Sequence, residues 1–255
     1  MSTFALECAG ATHVGRRDNN EDALFGSPRM AAVADGVGGA AAGEVASATI
    51  INALVALDKR RLADPLEDEL PRAIEAGNDT VRFVGTCRPE LAGMGTTLTA
   101  VALSNDGRYL IANVGDSRTY LYRGGRLSRL TRDDSLVQAL IERGKLSPQE
   151  ARHHPQRSVV LEALDGRPQP AVTTRECVAQ AGDRLLLCSD GLSDVLGDDE
   201  IAGALAHEQR EVAAQGLIEL ALAGGGSDNI TVIVADVVRA NDGRLGWLPA
   251  FEPTR

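Results

Sequence analysis

The sequence predicts an α+β fold: a four-layer α-β-β-α sandwich, with two antiparallel sheets packed face to face and helix pairs on the outside. Three observations carry this. Strand-like runs come in blocks joined by tight turns, which makes their ladders antiparallel. Helical patterns come in pairs between those blocks. The last run, "NITVIVADVV", places Ile230, Val232 and Val234 on one face and Thr231, Ile233 and Ala235 on the other, both largely apolar. A strand apolar on both faces is covered on both sides, and a sheet-on-sheet core with helices outside does that.

Taken in order, the first strand run is "FALECAGATHVG", followed by "RMAAVAD". A helix is predicted over 44–58 and a second over 70–85. "MGTTLTAVAL", "RYLIANVGD" and "RTYLYRGGRLSRL" form the next strand block, the last as two strands around Gly124-Gly125. A helix over 134–143 precedes one over 147–153, where "SPQE" supplies a Ser cap, a proline at the first position and a glutamate at the third. "RLLLCSD" is a further strand, helices follow over 198–207 and 210–223, and "NITVIVADVV" closes the pattern. No repeat and no change of composition divides the chain, so residues 1–240 read as one domain and 241–255 as a short C-terminal tail.

Composition narrows the function. The chain has 255 residues, 44% of them apolar, enough for a substantial and largely aliphatic core given only 3% aromatics. A formal charge of −10 argues against nonspecific nucleic-acid binding and against an anionic membrane surface. The N-terminal stretch has no basic region followed by an apolar run, and no segment approaches the roughly 18 apolar residues of a membrane span. Cys8, Cys87, Cys177 and Cys188 are far apart and form no C-x-x-C pair, so they read as reduced core thiols of a cytoplasmic protein.

The chemistry begins at "AAVADGVGGAAAGEVA", an apolar strand that ends in Asp35 and a run of glycines. Gly36 to Ala41 matches the dinucleotide fingerprint G-x-G-x-x-A, but a pyrophosphate there would meet Asp35, and two unit charges about 4 Å apart repel by about 4 kcal/mol at intermediate dielectric. The charge favours a cation. A lone Asp before glycine merely caps a turn, yet the construction recurs at Asp116 in "ANVGDSR", Asp190 in "LLLCSDGLSD" and Asp228 in "GGGSDNITV". Carboxylates gathered at strand ends, with few basic residues nearby, call for divalent cations, and oxygen ligation without His or Cys points to magnesium or manganese. The four histidines, His13, His153, His154 and His207, show no metal-ligand spacing. In "VGRRDNNED", two arginines precede Glu21 and Asp22, so a guanidinium able to grip a phosphate lies beside the acidic set.

These segments together resemble the bacterial type-2C, metal-dependent protein serine/threonine phosphatases. The motifs, in order, are R-x-x-N-E-D (Arg17 to Asp22), D-G-x-G-G (Asp35 to Gly39), G-T-T (Gly95 to Thr97), G-D-S-R (Gly115 to Arg118), S-D-G-L-x-D (Ser189 to Asp194) and S-D-N-I-T (Ser227 to Thr231). The resemblance implies two or three manganese or magnesium ions. Asp35 would bridge two of them with the Gly36 carbonyl as a ligand of one, Asp190 and Asp228 would complete the ligand set of the other, and Glu21 and Asp22 would hold metal-bound waters. Asp116 with Asp190 matches a third-metal position, supported by Asp194. Arg17 is the implied phosphate clamp, with Arg16 as its neighbour, and residues 134–170 correspond to a flap beside the site.

The implied function is hydrolysis of phosphoserine and phosphothreonine on proteins by a metal-activated water, opposing a bacterial Ser/Thr kinase, by a monomer that binds neither nucleic acid nor membrane. The alternative is a pseudophosphatase that binds phosphoproteins without cleaving them; such a module should have lost Asp35, Asp190 or Asp228, and all three are present. Two positions depart from familiar members: Val37 stands where many have His, and Asp134 takes the place of His in "LTRDDS". The departures bear on protonation of the leaving group and spare the metal ligands.

Overall fold

A computed structural model describes residues 4–37, 42–60 and 66–240. Gly38 to Ala41 of the glycine run and the tail 241–255 lie outside the described residues. In chain order the elements are β1 (Phe4–His13), β2 (Ala23–Gly26), β3 (Met30–Ala34), β4 (Gly36–Val37), α1 (Gly43–Lys59), α2 (Leu66–Cys87), β5 (Gly95–Thr96), β6 (Leu98–Leu103), β7 (Arg108–Val114), β8 (Arg118–Arg123) and β9 (Arg126–Arg129). Then follow α3 (Leu136–Glu142), α4 (Pro148–Arg152), β10 (Thr173–Val178), β11 (Arg184–Cys188), α5 (Asp190–Ser193), α6 (Asp198–Leu205), α7 (Arg210–Ala223) and β12 (Ile230–Arg239).

Among the described residues, one five-stranded sheet has the order β10-β7-β6-β3-β2 and the other β1-β12-β11-β8-β9, and every ladder is antiparallel. Period-two alternation builds the layers. Along β3, Ala31 and Val33 enter the core between the sheets, while Ala32 and Ala34 face α1 and α2 together with Ile50, Leu54 and Ile74. Along β12, Ile233, Ala235 and Val237 enter the same central core, and Ile230, Val232 and Val234 pack under α6 and α7 with Leu205, Leu217 and Ala221. This double cover is what the two apolar faces of "NITVIVADVV" require. The hairpin at Gly124-Gly125 forms as expected, with φ of 57° and 77°, the left-handed pair that a two-residue turn between twisted strands demands. Ser147 caps α4 in a reciprocal capping box with Glu150.

The sequence reading missed four of these elements, each for a physical reason, the shortest being the two-residue β4, which is too brief to show any alternation. β10 is an edge strand whose residues are almost all exposed, so "TTRECV" carries no apolar alternation. β2 spans only four residues, and α5 is a single turn at the end of β11. α2 also starts earlier than predicted, at Leu66, with Pro71 inside it. The expectation of four core thiols needs correction. Cys8 and Cys188 are buried, but Cys87 is exposed at the end of α2 and Cys177 is half-buried on edge strand β10. No helix among the described residues is long and apolar enough to cross a membrane.

Candidate metal centre

The strands deliver their terminal carboxylates to one end of the sandwich. Asp35 leaves β3, Asp116 lies in the turn from β7 to β8, Asp190 opens α5 after β11, and Asp228 precedes β12. They open onto a cavity of about 590 Å³ lined by Glu21, Asp35, Glu44, Asp116, Asp190 and Asp228, with Arg17 as its one cationic lining residue among those described. Gly36, Val37, Ser158 and Val160 complete much of the wall.

Glycine at position 36 is a matter of space. A Cβ there would lie 2.5 Å from the Gly43 carbonyl carbon and 2.8 Å from the Glu21 carbonyl oxygen, so the chain after Asp35 packs directly on the start of α1. Gly191 is under the same constraint, since a Cβ would fall 1.9 Å from the Asn229 carbonyl oxygen. These contacts bring Asp35 against the Glu21 loop and Asp190 against the Asp228 turn. The glycine after each Asp therefore serves close backbone approach.

Hydrogen bonds orient the donors. Asn229 accepts the Glu21 N–H at 2.8 Å and donates its amide to the carbonyls of Val14 and Asn19, both at 2.9 Å, which fastens the whole Arg17 loop to the start of β12. Ser189 Oγ donates to Asp22 Oδ2 at 2.9 Å and accepts the Thr231 N–H at 3.0 Å. Arg17 donates to Asp228 Oδ2 at 2.7 Å while its side chain stays 59% exposed. Arg16 is exposed and does not line the cavity. Asp194 sits one turn after Asp190, its N–H on the Asp190 carbonyl, and pairs with Arg157 at 3.4 Å.

The electrostatics are those of crowded, uncompensated carboxylates. Burial, then the charges of Asp22, Asp190, Asp116 and Asp228, push Asp35 well above the usual carboxylate range. Burial and the neighbouring Asp116, Asp194 and Asp228 do the same to Asp190. Asp116 is pushed up to about 7 by burial and by Asp133 and Asp194. Asp22 rises to about 6 through burial, partly offset by the hydroxyls of Thr231 and Ser189. Its Oδ1 is buried without a hydrogen-bond partner. Such a set fits divalent cations, which would restore the charge balance and satisfy the orphan oxygen. Among the described residues no three of these side chains close into a cage by themselves; they ring an open cavity, so ions there would complete their shells with water.

All eight residues singled out from the sequence lie at this end: Arg17, Glu21, Asp35, Gly36, Asp116, Asp190 and Asp228 on the cavity wall, and Asp22 behind it on Ser189. Sequence reasoning missed Glu44, in the first turn of α1, and the supporting roles of Asn229 and Ser189. The only available signal for Glu44 was an acidic residue in the first helical turn after the glycine run, which is equally the mark of an ordinary helix start.

The chain resembles known proteins in both sequence and fold. The protein phosphatase 2C family profile matches residues 9–215. The serine/threonine protein phosphatase PstP of Mycobacterium tuberculosis is 48% identical over 238 residues, covering 92% of this chain and 46% of PstP, so the chain spans about half the length of that relative. The serine/threonine phosphatase stp of Listeria monocytogenes is 36% identical over 217 residues, covering 83% of this chain and 86% of stp. Among solved structures, the catalytic domain of PstP in complex with two manganese ions superposes with a TM-score of 0.85 at 44% identity, covering 92% of this chain and all of that one. With the family profile matching most of the chain and relatives at 48% and 36% identity, the chain belongs to the protein phosphatase 2C family.

Proposed function

We propose that the chain hydrolyses phosphoserine and phosphothreonine monoesters on proteins, as one catalytic domain over residues 1–240 followed by the tail 241–255. The observation that carries this reading is the cavity lined, among the described residues, by six carboxylates and one guanidinium, an excess of negative charge that bound cations would offset. Asp35, the Gly36 carbonyl, Asp190 and Asp228 are the proposed ligands of two manganese or magnesium ions, and Asp116 with Asp190 those of a third. Bound ions of this kind supply an acidified water nucleophile and Lewis-acid stabilisation of the phosphoryl oxygens. The two manganese ions of the PstP catalytic domain support the choice of metal and the number two for the core ions.

The chain's own residues then have separable tasks. Glu21, on the cavity wall, and Asp22, whose Oδ1 is free to accept, would take hydrogen bonds from waters bound to such ions. Arg17, exposed at the cavity wall and held by Asp228, exchanges that carboxylate for the phosphate and offers it a two-pronged donor. Val37 lines the cavity and can donate nothing, and no histidine does so among the described residues, so the leaving alkoxide takes its proton from water. The presence of every proposed ligand favours catalysis over a pseudophosphatase. A Ser/Thr kinase and its targets are the proposed partners, met in the cytoplasm by a monomer.

The test is hydrolysis of p-nitrophenyl phosphate and of a phosphothreonine peptide with MnCl2 and after chelation. Chelation should abolish both reactions, and Asp35→Ala or Asp190→Ala should lower kcat by orders of magnitude. Full activity in either variant overturns the ligand assignment.

A further inference from the structure

Two pairs of buried hydroxyls cross the gap between the sheets. Thr97 Oγ1 lies 2.7 Å from Ser117 Oγ, and Thr99 Oγ1 lies 2.7 Å from Thr119 Oγ1. All four residues are fully buried, at 0% exposure. Thr99 belongs to β6 of one sheet and Thr119 to β8 of the other, and Thr97 and Ser117 stand two residues nearer the cavity on each side. In a core built mostly of Ala, Val, Leu and Ile, a hydroxyl is tolerable only when it is paired, so these positions hold polar groups for what the pairing does.

The pair nearer the cavity has an additional connection. Thr97 Oγ1 accepts the Asp35 N–H at 3.2 Å, and the Thr97 N–H donates to the Asp35 carbonyl at 2.8 Å. Thr96 Oγ1 donates to that same carbonyl at 2.8 Å. Both polar groups of Asp35's backbone are thus held by consecutive threonines. On the other side Ser117 directly follows Asp116 in the turn between β7 and β8. A hydrogen-bonded path therefore runs from the backbone of Asp35, through Thr97 and Ser117, to the segment that presents Asp116. It spans the sheet interface beside the carboxylate-lined cavity.

We propose that Thr97 is a positioning residue that sets the separation of the Asp35 and Asp116 sides of the cation site; this rests on the metal-centre reading above. Its hydroxyl touches no substrate and acts through Asp35 and Ser117. The inner pair, Thr99 and Thr119, contributes to cohesion of the core without contact to a cavity residue, and so serves as the internal control.

The experiment compares Thr97→Val, Thr97→Ser and Thr99→Val by calorimetric titration with MnCl2, with turnover of p-nitrophenyl phosphate measured in parallel. Removing a group that orients a metal ligand weakens affinity by about 10- to 100-fold, and that is the loss expected for Thr97→Val, while Thr97→Ser, which keeps the hydroxyl, restores most of it. Thr99→Val should lose thermal stability but keep the wild-type manganese affinity. Equal affinities in Thr97→Val and Thr99→Val overturn the proposal. If Thr97→Val does not fold, Ser117→Ala cuts the same path while leaving the Thr97 to Asp35 contact, and unchanged affinity there overturns it as well. Absence of manganese binding in the wild-type chain would instead strike the metal-centre reading, and this inference with it.

Discussion

At the scale of the residue, Arg17 and Asp35 show how the same site sets function against stability. Arg17 lines the cavity and Arg16 does not, although they are adjacent. Because a phosphate clamp acts on substrate and transition state alike, Arg17→Ala should raise KM and lower kcat/KM by more than Arg16→Ala does. Interchanged phenotypes in steady-state kinetics would show the loop to be in another register. Asp35 is costly in the absence of cations, since burial and four neighbouring carboxylates oppose its charge. Asp35→Asn should therefore raise the Tm of chelated protein while abolishing turnover, a trade expected wherever a functional group is held under electrostatic strain. A lower Tm in that variant would mean that the carboxylate is a net stabiliser even without metal.

At the scale of the element, the turn between β7 and β8 and the segment leading into α3 are tied through the buried carboxylate of Asp133, which pairs with Arg118 and, at 3.3 Å, with Arg129. Arg118, at the start of β8, donates through Nε and Nη2 to Asp133, at 3.0 and 2.6 Å, and Asp133 is only 4% exposed. Beyond Asp133, the Asp134 side chain accepts the Gly115 N–H at 3.3 Å and its carbonyl accepts the Leu161 N–H at 2.7 Å, so this junction is tied to the segment that reaches the cavity through Ser158 and Val160. Breaking a buried pair from one side leaves an uncompensated charge, and Asp133→Ala should cost about 3–5 kcal/mol in denaturant unfolding. Arg118→Lys should not preserve stability, because an ammonium cannot reproduce the two-pronged geometry. Denaturation midpoints equal to wild type in both variants would remove this pair as the junction's anchor.

For the whole molecule, the raised carboxylates predict an unusual dependence of stability on pH. An unfolded Asp releases its proton near pH 4, whereas Asp22 does so at about 6 and Asp116 at about 7 in the folded chain. Between these values the folded state binds more protons than the unfolded state, so this contribution to stability is full below about pH 4 and is lost as pH rises toward 7. Chelated protein should show a Tm that falls across that interval, and saturating MnCl2 should flatten the fall because bound cations replace the protons. A chelated Tm that rises from pH 5 to pH 7 would contradict the assignment of these groups as crowded and uncompensated.

Much of this organisation was legible in the linear chain because it rests on local, periodic patterns. The alternation in "NITVIVADVV" required cover on both faces, "SPQE" announced its helix, and the repeated placement of Asp at a strand's end or start singled out Asp35, Asp116, Asp190 and Asp228 without any knowledge of their proximity. What the chain could not announce were features with no local signature. Strand β10 gains its place only by pairing with β7, and Glu44 reads as an ordinary first-turn acid until α1 is laid against the cavity. Thr97 and Ser117 look like polar residues beside strands, and only the closure of one sheet on the other makes them partners. The sequence by itself determined which groups the molecule carries and on which face of each strand they stand, since backbone geometry makes side-chain direction a local property. Tertiary structure alone decided which of those groups share a cavity, because distances between sheets are set by packing of residues far apart in the chain.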